Sequence, residues 1–227
     1  MKKNLKMEDD VNNEDNDSKI ENVKITLIGD SGVGKTCIIL RYTNKEFNEN
    51  QNTTRGANYC PKTLNINGKD LRLDIWDTAG QEQYRSLGNY FYRDSYIVIL
   101  VYDISNKQSF ENLKNVWFKD LKTFGEKCTV LAICGNKSDL FEVEEVPEDE
   151  ARKFAEEQDA IFMLVSAKTG DNINLLFNTI ISKYLGPEFH FLIEEKNKEA
   201  EENIKIDKKA VEVTDQKIKE KKKKGCC

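Results

Sequence analysis

Three features of the sequence predict an α/β fold built on a six-stranded, mostly parallel sheet with one antiparallel edge strand. Short, continuous apolar runs of strand length alternate with longer stretches that carry apolar residues at helical spacing. Such strand–helix repeats need a parallel sheet covered on both faces. A single Asn67-Gly68 pair separates two alternating runs, Tyr59–Ile66 and Asp70–Trp76, which is the signature of one hairpin.

The elements follow in order. Residues 1–22 are rich in Asn, Asp, Glu and Lys and have no apolar periodicity, so they read as a disordered extension. Val23–Ile28 (VKITLI) is a β-branched run closed by Gly29, as expected of a buried strand. Lys35–Thr43 has helical spacing through Ile38, Ile39 and Tyr42. After the hairpin, Ile97–Tyr102, Val130–Cys134 and Ile161–Val165 read as buried strands, with helices expected over Phe110–Phe124, Pro147–Gln158 and Asn172–Leu185. Gly186-Pro187 ends the last helix, a capping glycine followed by a residue that cannot extend it. One folded unit over 23–185 is therefore expected, followed by a flexible, charged tail over 186–227. No internal repeat is visible.

Composition narrows the function. The chain has 227 residues with 33% charged and 38% hydrophobic, a polar excess that the two terminal segments explain. Net charge is −5, yet the final stretch Lys217–Cys227 holds six Lys against one Glu. An acidic folded part argues against nucleic acid as a partner. The longest apolar run, Ile97–Val101, is far too short to span a bilayer, and the start MKKNLKMEDD lacks the apolar core of a secretory signal. Cys37, Cys60, Cys128 and Cys134 stand singly among apolar residues without zinc-ligand spacing, so they read as buried, reduced thiols.

Gly29-Asp30-Ser31-Gly32-Val33-Gly34-Lys35-Thr36 matches the P-loop pattern in full, between a strand and a helix as that motif requires. Its glycines let the backbone curl so that successive N–H groups, from Ser31, Gly32, Val33, Gly34, Lys35, Thr36 and Cys37, face phosphate oxygens. The helix adds its N-terminal dipole. Lys35 reaches the β/γ-phosphates and the Thr36 hydroxyl ligates Mg2+. The fold class is thus that of a P-loop NTPase.

The choice of base comes from two further loops. Asn136-Lys137-Ser138-Asp139 and Ser166-Ala167-Lys168 each follow an apolar strand, where ligands bind in open α/β sheets. Asp139 can accept from the ring N–H and exocyclic amine of guanine, a pair of donors that adenine lacks. The stems of Lys137 and Lys168 can cover the base, and the Ala167 N–H can meet the guanine oxygen. Asp77, in Asp77-Thr78-Ala79-Gly80-Gln81-Glu82, ends a strand where a carboxylate can hold Mg2+. The Gly80 N–H can bond the γ-phosphate, and Gln81 can orient the attacking water.

With these motifs the chain resembles a Ras-superfamily small GTPase, and specifically a Rab. The resemblance lies in Arg72–Trp76 (RLDIW), Trp76–Glu82 (WDTAGQE), Tyr84-Arg85-Ser86-Leu87, Tyr92-Arg93-Asp94-Ser95, Leu100–Ile104 (LVYDI) and Thr53–Ala57. It covers about Val23–Leu185 and implies a small G domain with about five helices. It further implies that Thr54 is the second hydroxyl ligand of Mg2+ and that Phe47 packs against the guanine. Slow hydrolysis, release of GDP with an exchange factor, and turnover that depends on a GTPase-activating protein are expected, with a monomer binding effectors through the switch segments. Arg55 stands where most Rabs carry Ile, which predicts altered partner choice. Asp94-Ser95 replaces the commoner Gly-Ala. A P-loop ATPase or small-molecule kinase is disfavoured by Asp139, and a non-hydrolysing GTP-bound membrane scaffold by intact Thr54, Gly80 and Gln81.

Cys226-Cys227 ends the chain after Lys221–Lys224 and Gly225. The four-residue prenylation box is absent; a terminal Cys-Cys is what Rabs carry for double geranylgeranylation, with an escort protein, the transferase and a GDP-dissociation inhibitor as the implied partners. Two lipids hold a membrane stably where one holds marginally. The 39 residues from Pro187 to Gly225 would span ~30–40 Å as a coil. The expected address is the cytoplasmic face of intracellular membranes, in exchange with the cytosol; Gly56-Ala57 resembles the endocytic branch.

Overall fold

The computed structural model describes residues 21–54, 56–66, 69–79 and 93–186. Within them the chain runs β1 (Glu21–Ile28), α1 (Lys35–Asn44), β2 (Ala57–Ile66), β3 (Lys69–Thr78) and β4 (Ile97–Asp103). Then come α2 (Lys107–Asn112), a π turn (Leu113–Trp117), α3 (Phe118–Phe124) and β5 (Val130–Asn136). A 3-10 turn (Ser138–Val143), α4 (Glu148–Glu157), β6 (Ile161–Leu164) and α5 (Ile173–Leu185) complete it. The strands form one sheet in the order β2-β3-β1-β4-β5-β6. Only the β2–β3 pair is antiparallel, so the expected fold class and edge strand hold. The pair closes at Ile66↔Lys69; Asn67-Gly68 itself lies outside the described residues.

Alternation along the central strands sends side chains to two cores. Val23, Ile25, Leu27, Ile97, Ile99 and Val101 bury against Ile38, Ile39 and Tyr42 of α1 and Leu176, Phe177 and Ile180 of α5. Val98, Leu100 and Tyr102 bury on the other face with Phe110, Leu113, Trp117, Leu121, Ala151 and Ala155. Each fully buried Val, Leu, Ile or Phe side chain among them contributes about 1.5–3 kcal/mol of burial. Tyr42 and Phe177 stack at 3.7 Å between ring centroids and join α1 to α5. Gly186 caps α5 as expected, its N–H donating to the Ser182 carbonyl.

Several element bounds differ from the expectation. β1 starts at Glu21 rather than Val23, and β3 runs on to Thr78, so Asp77 lies within the strand and not at its end. The segment expected as one helix over Phe110–Phe124 starts at Lys107, where the Asn106 side chain accepts from the Ser109 N–H. It is then broken by the π turn, in which the Phe118 N–H reaches back to the Leu113 carbonyl. Of the four cysteines among the described residues, all free thiols, Cys134 is buried as expected, whereas Cys37, Cys60 and Cys128 lie at intermediate depth.

Asp94-Ser95 has a structural account. Asp94 holds φ 62°, a left-handed conformation that Asp tolerates better than most residues. Lys127 sits 2.6 Å from its carboxylate, and that hydrogen bond holds the Asp94 carboxyl below its ordinary range. Ser95 is fully buried and its hydroxyl meets that of Thr26 at 2.7 Å, fixing the entry to β4 beside β1. Among the described residues no helix is long and apolar enough to cross a membrane.

Candidate functional site

The sheet order places β3 and β4 on opposite sides of β1, so the connections that leave β1 and β3 diverge. Ligands bind at such a point, beyond the carboxyl ends of the strands. A cavity of about 450 Å3 lies there. It is lined by Ser31, Gly32, Gly34, Lys35, Thr36 and Cys37 at one end and by Asn136, Lys137, Asp139, Ala167 and Lys168 at the other, with Phe47 and Thr54 between.

The loop of residues 29–36 curls because Gly32 and Gly34 adopt φ 80° and 95°. Gly34 precedes α1 without a side-chain cap, leaving first-turn N–H groups for an anion. Lys35 is buried and folds back, donating to the carbonyls of Gly29 at 2.7 Å and Asp30 at 2.8 Å. Burial pushes its ammonium down to about 8, against the pull of Asp77 and Asp30. Val33 does not line the cavity: its side chain is buried in the core and its carbonyl accepts from Asn136.

Three residues from three separate segments meet beside this loop. The Thr36 and Thr54 hydroxyl oxygens lie 2.8 Å apart, and both donate to Asp77 Oδ2, at 2.8 and 3.2 Å. Asp77 Oδ1 is buried with no hydrogen-bond partner. Burial raises the Asp77 carboxyl pKa, opposed by the Thr36 hydrogen bond and by Lys35. Two hydroxyls and one carboxylate, whose Oδ1 is orphaned, fit Mg2+ beside an anion cradle, since that ion is held by one or two carboxylates together with ligand phosphates. Among the described residues no group of three or more His, Cys, Asp or Glu offers a competing metal site.

At the far end most polar groups are engaged in fixing loops. Asn136 is buried; its Nδ2 donates to the Val33 carbonyl at 2.8 Å, and its Oδ1 accepts from the Ala167 N–H at 3.1 Å. The Ala167 N–H, expected to meet a guanine oxygen, is therefore shared with Asn136. Ser166 does not line the cavity either; its hydroxyl donates to Asp139 Oδ1 at 2.5 Å and aims that carboxylate. Lys137 pairs with Asp103 at 2.6 Å, and Lys168 lies 3.5 Å from Glu49 across the opening. Phe47 both lines the cavity and packs on the α1–α5 core.

Arg41, which sequence reasoning did not single out, donates from Nε to the Ala167 carbonyl at 2.8 Å and from an Nη to the Lys168 carbonyl at 2.7 Å. It also lies over the Phe47 ring at 5.7 Å. One arginine on α1 thus holds the loop after β6, a role that no local motif announces. Gly80, Gln81, Arg55, Cys226 and Cys227 lie outside the described residues.

The sequence profile of the Ras family matches residues 24–185. The chain is 42% identical over 168 residues to "Ras-related protein Rab5A" of Oryza sativa subsp. japonica, covering 74% of this chain and 82% of that one. It is 44% identical over 158 residues to "Ras-related protein Rab-22A" of Homo sapiens, covering 70% and 81%. It is 37% identical over 207 residues to "Ras-related protein RABA2b" of Arabidopsis thaliana, covering 90% and 93%.

Proposed function

Because the chain belongs to the Ras family and is a Rab small GTPase, we propose that it hydrolyses GTP to GDP and phosphate and acts as a switch in vesicle traffic. The observation that carries this reading is a single cavity joining the P-loop at one end to Asp139 at the other. Asp139, aimed by Ser166, would accept from the guanine ring N–H and amine. Lys137 and Lys168 would cover the base, with Phe47 against it. Backbone N–H groups from Ser31 to Cys37 and the Lys35 ammonium would receive the phosphates.

Thr36, Thr54 and Asp77 would hold Mg2+, which when bound neutralises charge on the β- and γ-phosphate oxygens. Gln81 would orient a water toward the γ-phosphorus; the bond to the bridging oxygen breaks, and GDP and phosphate leave. No arginine in the described site stands in for a partner's finger, which is typically worth ~10³–10⁵ in rate. Intrinsic hydrolysis is therefore slow, and a GTPase-activating protein sets the turnover. Loss of the γ-phosphate removes the contacts at Thr54 and Gly80, and both segments relax. An exchange factor resets the cycle, and effectors read the GTP form, with Arg55 tuning which ones bind.

Double geranylgeranylation at Cys226 and Cys227, assisted by an escort protein, would anchor the chain to cytoplasmic membrane faces, of the endosome on the Gly56-Ala57 resemblance. A GDP-dissociation inhibitor would return it to the cytosol. The test is single-turnover hydrolysis of γ-³²P-GTP by wild type and Gln81→Leu, with and without a Rab-directed GTPase-activating domain. Stimulated phosphate release in wild type and its loss in Gln81→Leu are expected. Absence of release from wild type under both conditions would favour the non-hydrolysing scaffold, and equal stimulation in Gln81→Leu would remove Gln81 from the mechanism.

A further inference from the structure

The π turn between α2 and α3 touches the phosphate loop. Trp117 Nε1 donates to Asp30 Oδ1 at 2.6 Å, and Asn112 Nδ2 donates to Asp30 Oδ2 at 2.7 Å. Asn112 is itself aimed, because Gln108 Nε2 donates to its Oδ1 at 2.9 Å. Positions five apart on an α-helix stand about 140° from each other around the axis. Asn112 and Trp117 are such a pair, and an unbroken α-helix would point them away from a common target. The wider turn over Leu113–Trp117, closed by the Phe118 N–H on the Leu113 carbonyl, brings both donors to one carboxylate. Single π turns inside helices recur at functional sites.

The carboxylate they hold is a charged side chain in a loop that binds an anion, a costly place for an acid. The Gly29 and Asp30 carbonyls also receive the Lys35 ammonium, so the position of Asp30 fixes where that lysine folds. We propose that Asn112 and Trp117 are positioning residues for the P-loop, and that their two-point grip on Asp30 sets the lifetime of bound nucleotide. The grip holds both carboxylate oxygens on the α2–α3 side and keeps the loop backbone in its curled form. The inference rests on the reading of this loop as the phosphate cradle.

The experiment measures release of N-methylanthraniloyl-GDP from the full chain, chased with excess GDP. Trp117→Phe keeps an aromatic ring in the core and removes the donor; Asn112→Ala, at a partly buried position outside the apolar core, removes the other. Each is expected to speed release about tenfold, the scale of one hydrogen bond to a charged group. In the pair Asp30→Ala and Trp117→Phe, the double variant is expected to release no faster than Asp30→Ala alone. A role in packing alone would lower the urea midpoint of the GDP-saturated protein without moving the release rate. Release within twofold of wild type in both Trp117→Phe and Asn112→Ala, or effects that multiply in the double variant, overturns the proposal. Failure of wild type to bind the probe, or binding by Lys35→Ala as tight as wild type, overturns the phosphate-cradle reading and the grip with it. Tight wild-type binding with indifferent grip variants overturns the grip alone.

Discussion

Replacing Gly34 by alanine tests how the two ends of the site are joined. A Cβ at this position would lie 2.3 Å from Asn136 Nδ2, far inside contact distance, and φ is +95°. The left-handed backbone costs alanine about 1–2 kcal/mol. Asn136 has no room to stay, and moving it breaks its bonds to the Val33 carbonyl and the Ala167 N–H. Each is worth about 0.5–1.5 kcal/mol net, more where a buried group is left without a partner. The expected loss is about 3–5 kcal/mol of stability.

The assay is urea unfolding followed by tryptophan fluorescence at several GDP concentrations, since bound ligand adds RT ln(1 + [L]/Kd) and must be separated from intrinsic stability. In an Asn136→Ala background the clash is gone and only the backbone term remains, so Gly34→Ala there is expected to cost about 1–2 kcal/mol. A coupling of about 2–3 kcal/mol between the two sites follows. The reasoning is refuted if Gly34→Ala costs under about 1 kcal/mol, or if its cost is the same with and without Asn136.

Other consequences are checked more simply. Asp139→Asn exchanges an acceptor for a donor where guanine is proposed to sit and is expected to weaken GDP by about 10²-fold without improving ATP, measured by competition against labelled GDP. Lys35 must carry its proton to meet phosphate, and burial holds it at about 8. The charged form is half populated at that value, nearly complete a unit below it and lost above it, so GDP affinity is expected to be flat up to about pH 7 and to fall by up to about tenfold per unit well above pH 8. A titration that stays flat to pH 9.5 would contradict this. Ser95→Ala removes a buried hydroxyl from Thr26 and is expected to lower stability by about 1 kcal/mol. Lys127→Met, which breaks the exposed pair with Asp94, is expected to leave the urea midpoint unchanged.

Much of this molecule can be read along the chain because its information is local. The run IVILV in β4 is buried at every position, as a continuous apolar strand must be in a sheet covered on both faces. The eight residues from Gly29 to Thr36 announce an anion cradle since the glycines, lysine and hydroxyl must be adjacent to act together. The π turn is different. Phe110, Leu113, Trp117 and Leu121 keep an ordinary apolar spacing, which reports that a face is buried and not how tightly the helix is wound. Arg41 looks like any helix-surface cation until the fold brings it to carbonyls more than a hundred residues away. Ser166 and Asp139 were each legible as loop residues, yet their hydrogen bond depends on β5 and β6 being neighbours, which no local pattern states.

Most of the side chains that look like ligand contacts in the sequence are bonded to the protein itself. Asn136 joins the P-loop to the Ala167 loop, Lys137 pairs with Asp103, and Lys35 closes the cradle on its own carbonyls. Thr36 and Thr54 are held together by Asp77 although one ends the P-loop and the other precedes β2. A site assembled in this way has its loops in place before contacts to a ligand are counted, which reduces the ordering entropy that binding must offset. It also makes the ends interdependent, because a shift of Val33 is felt at Ala167 through one amide side chain. On the proposed reading, recognition of the base and grip on the phosphates would therefore not be separable quantities, because Asn136 bonds both the P-loop and the Ala167 loop.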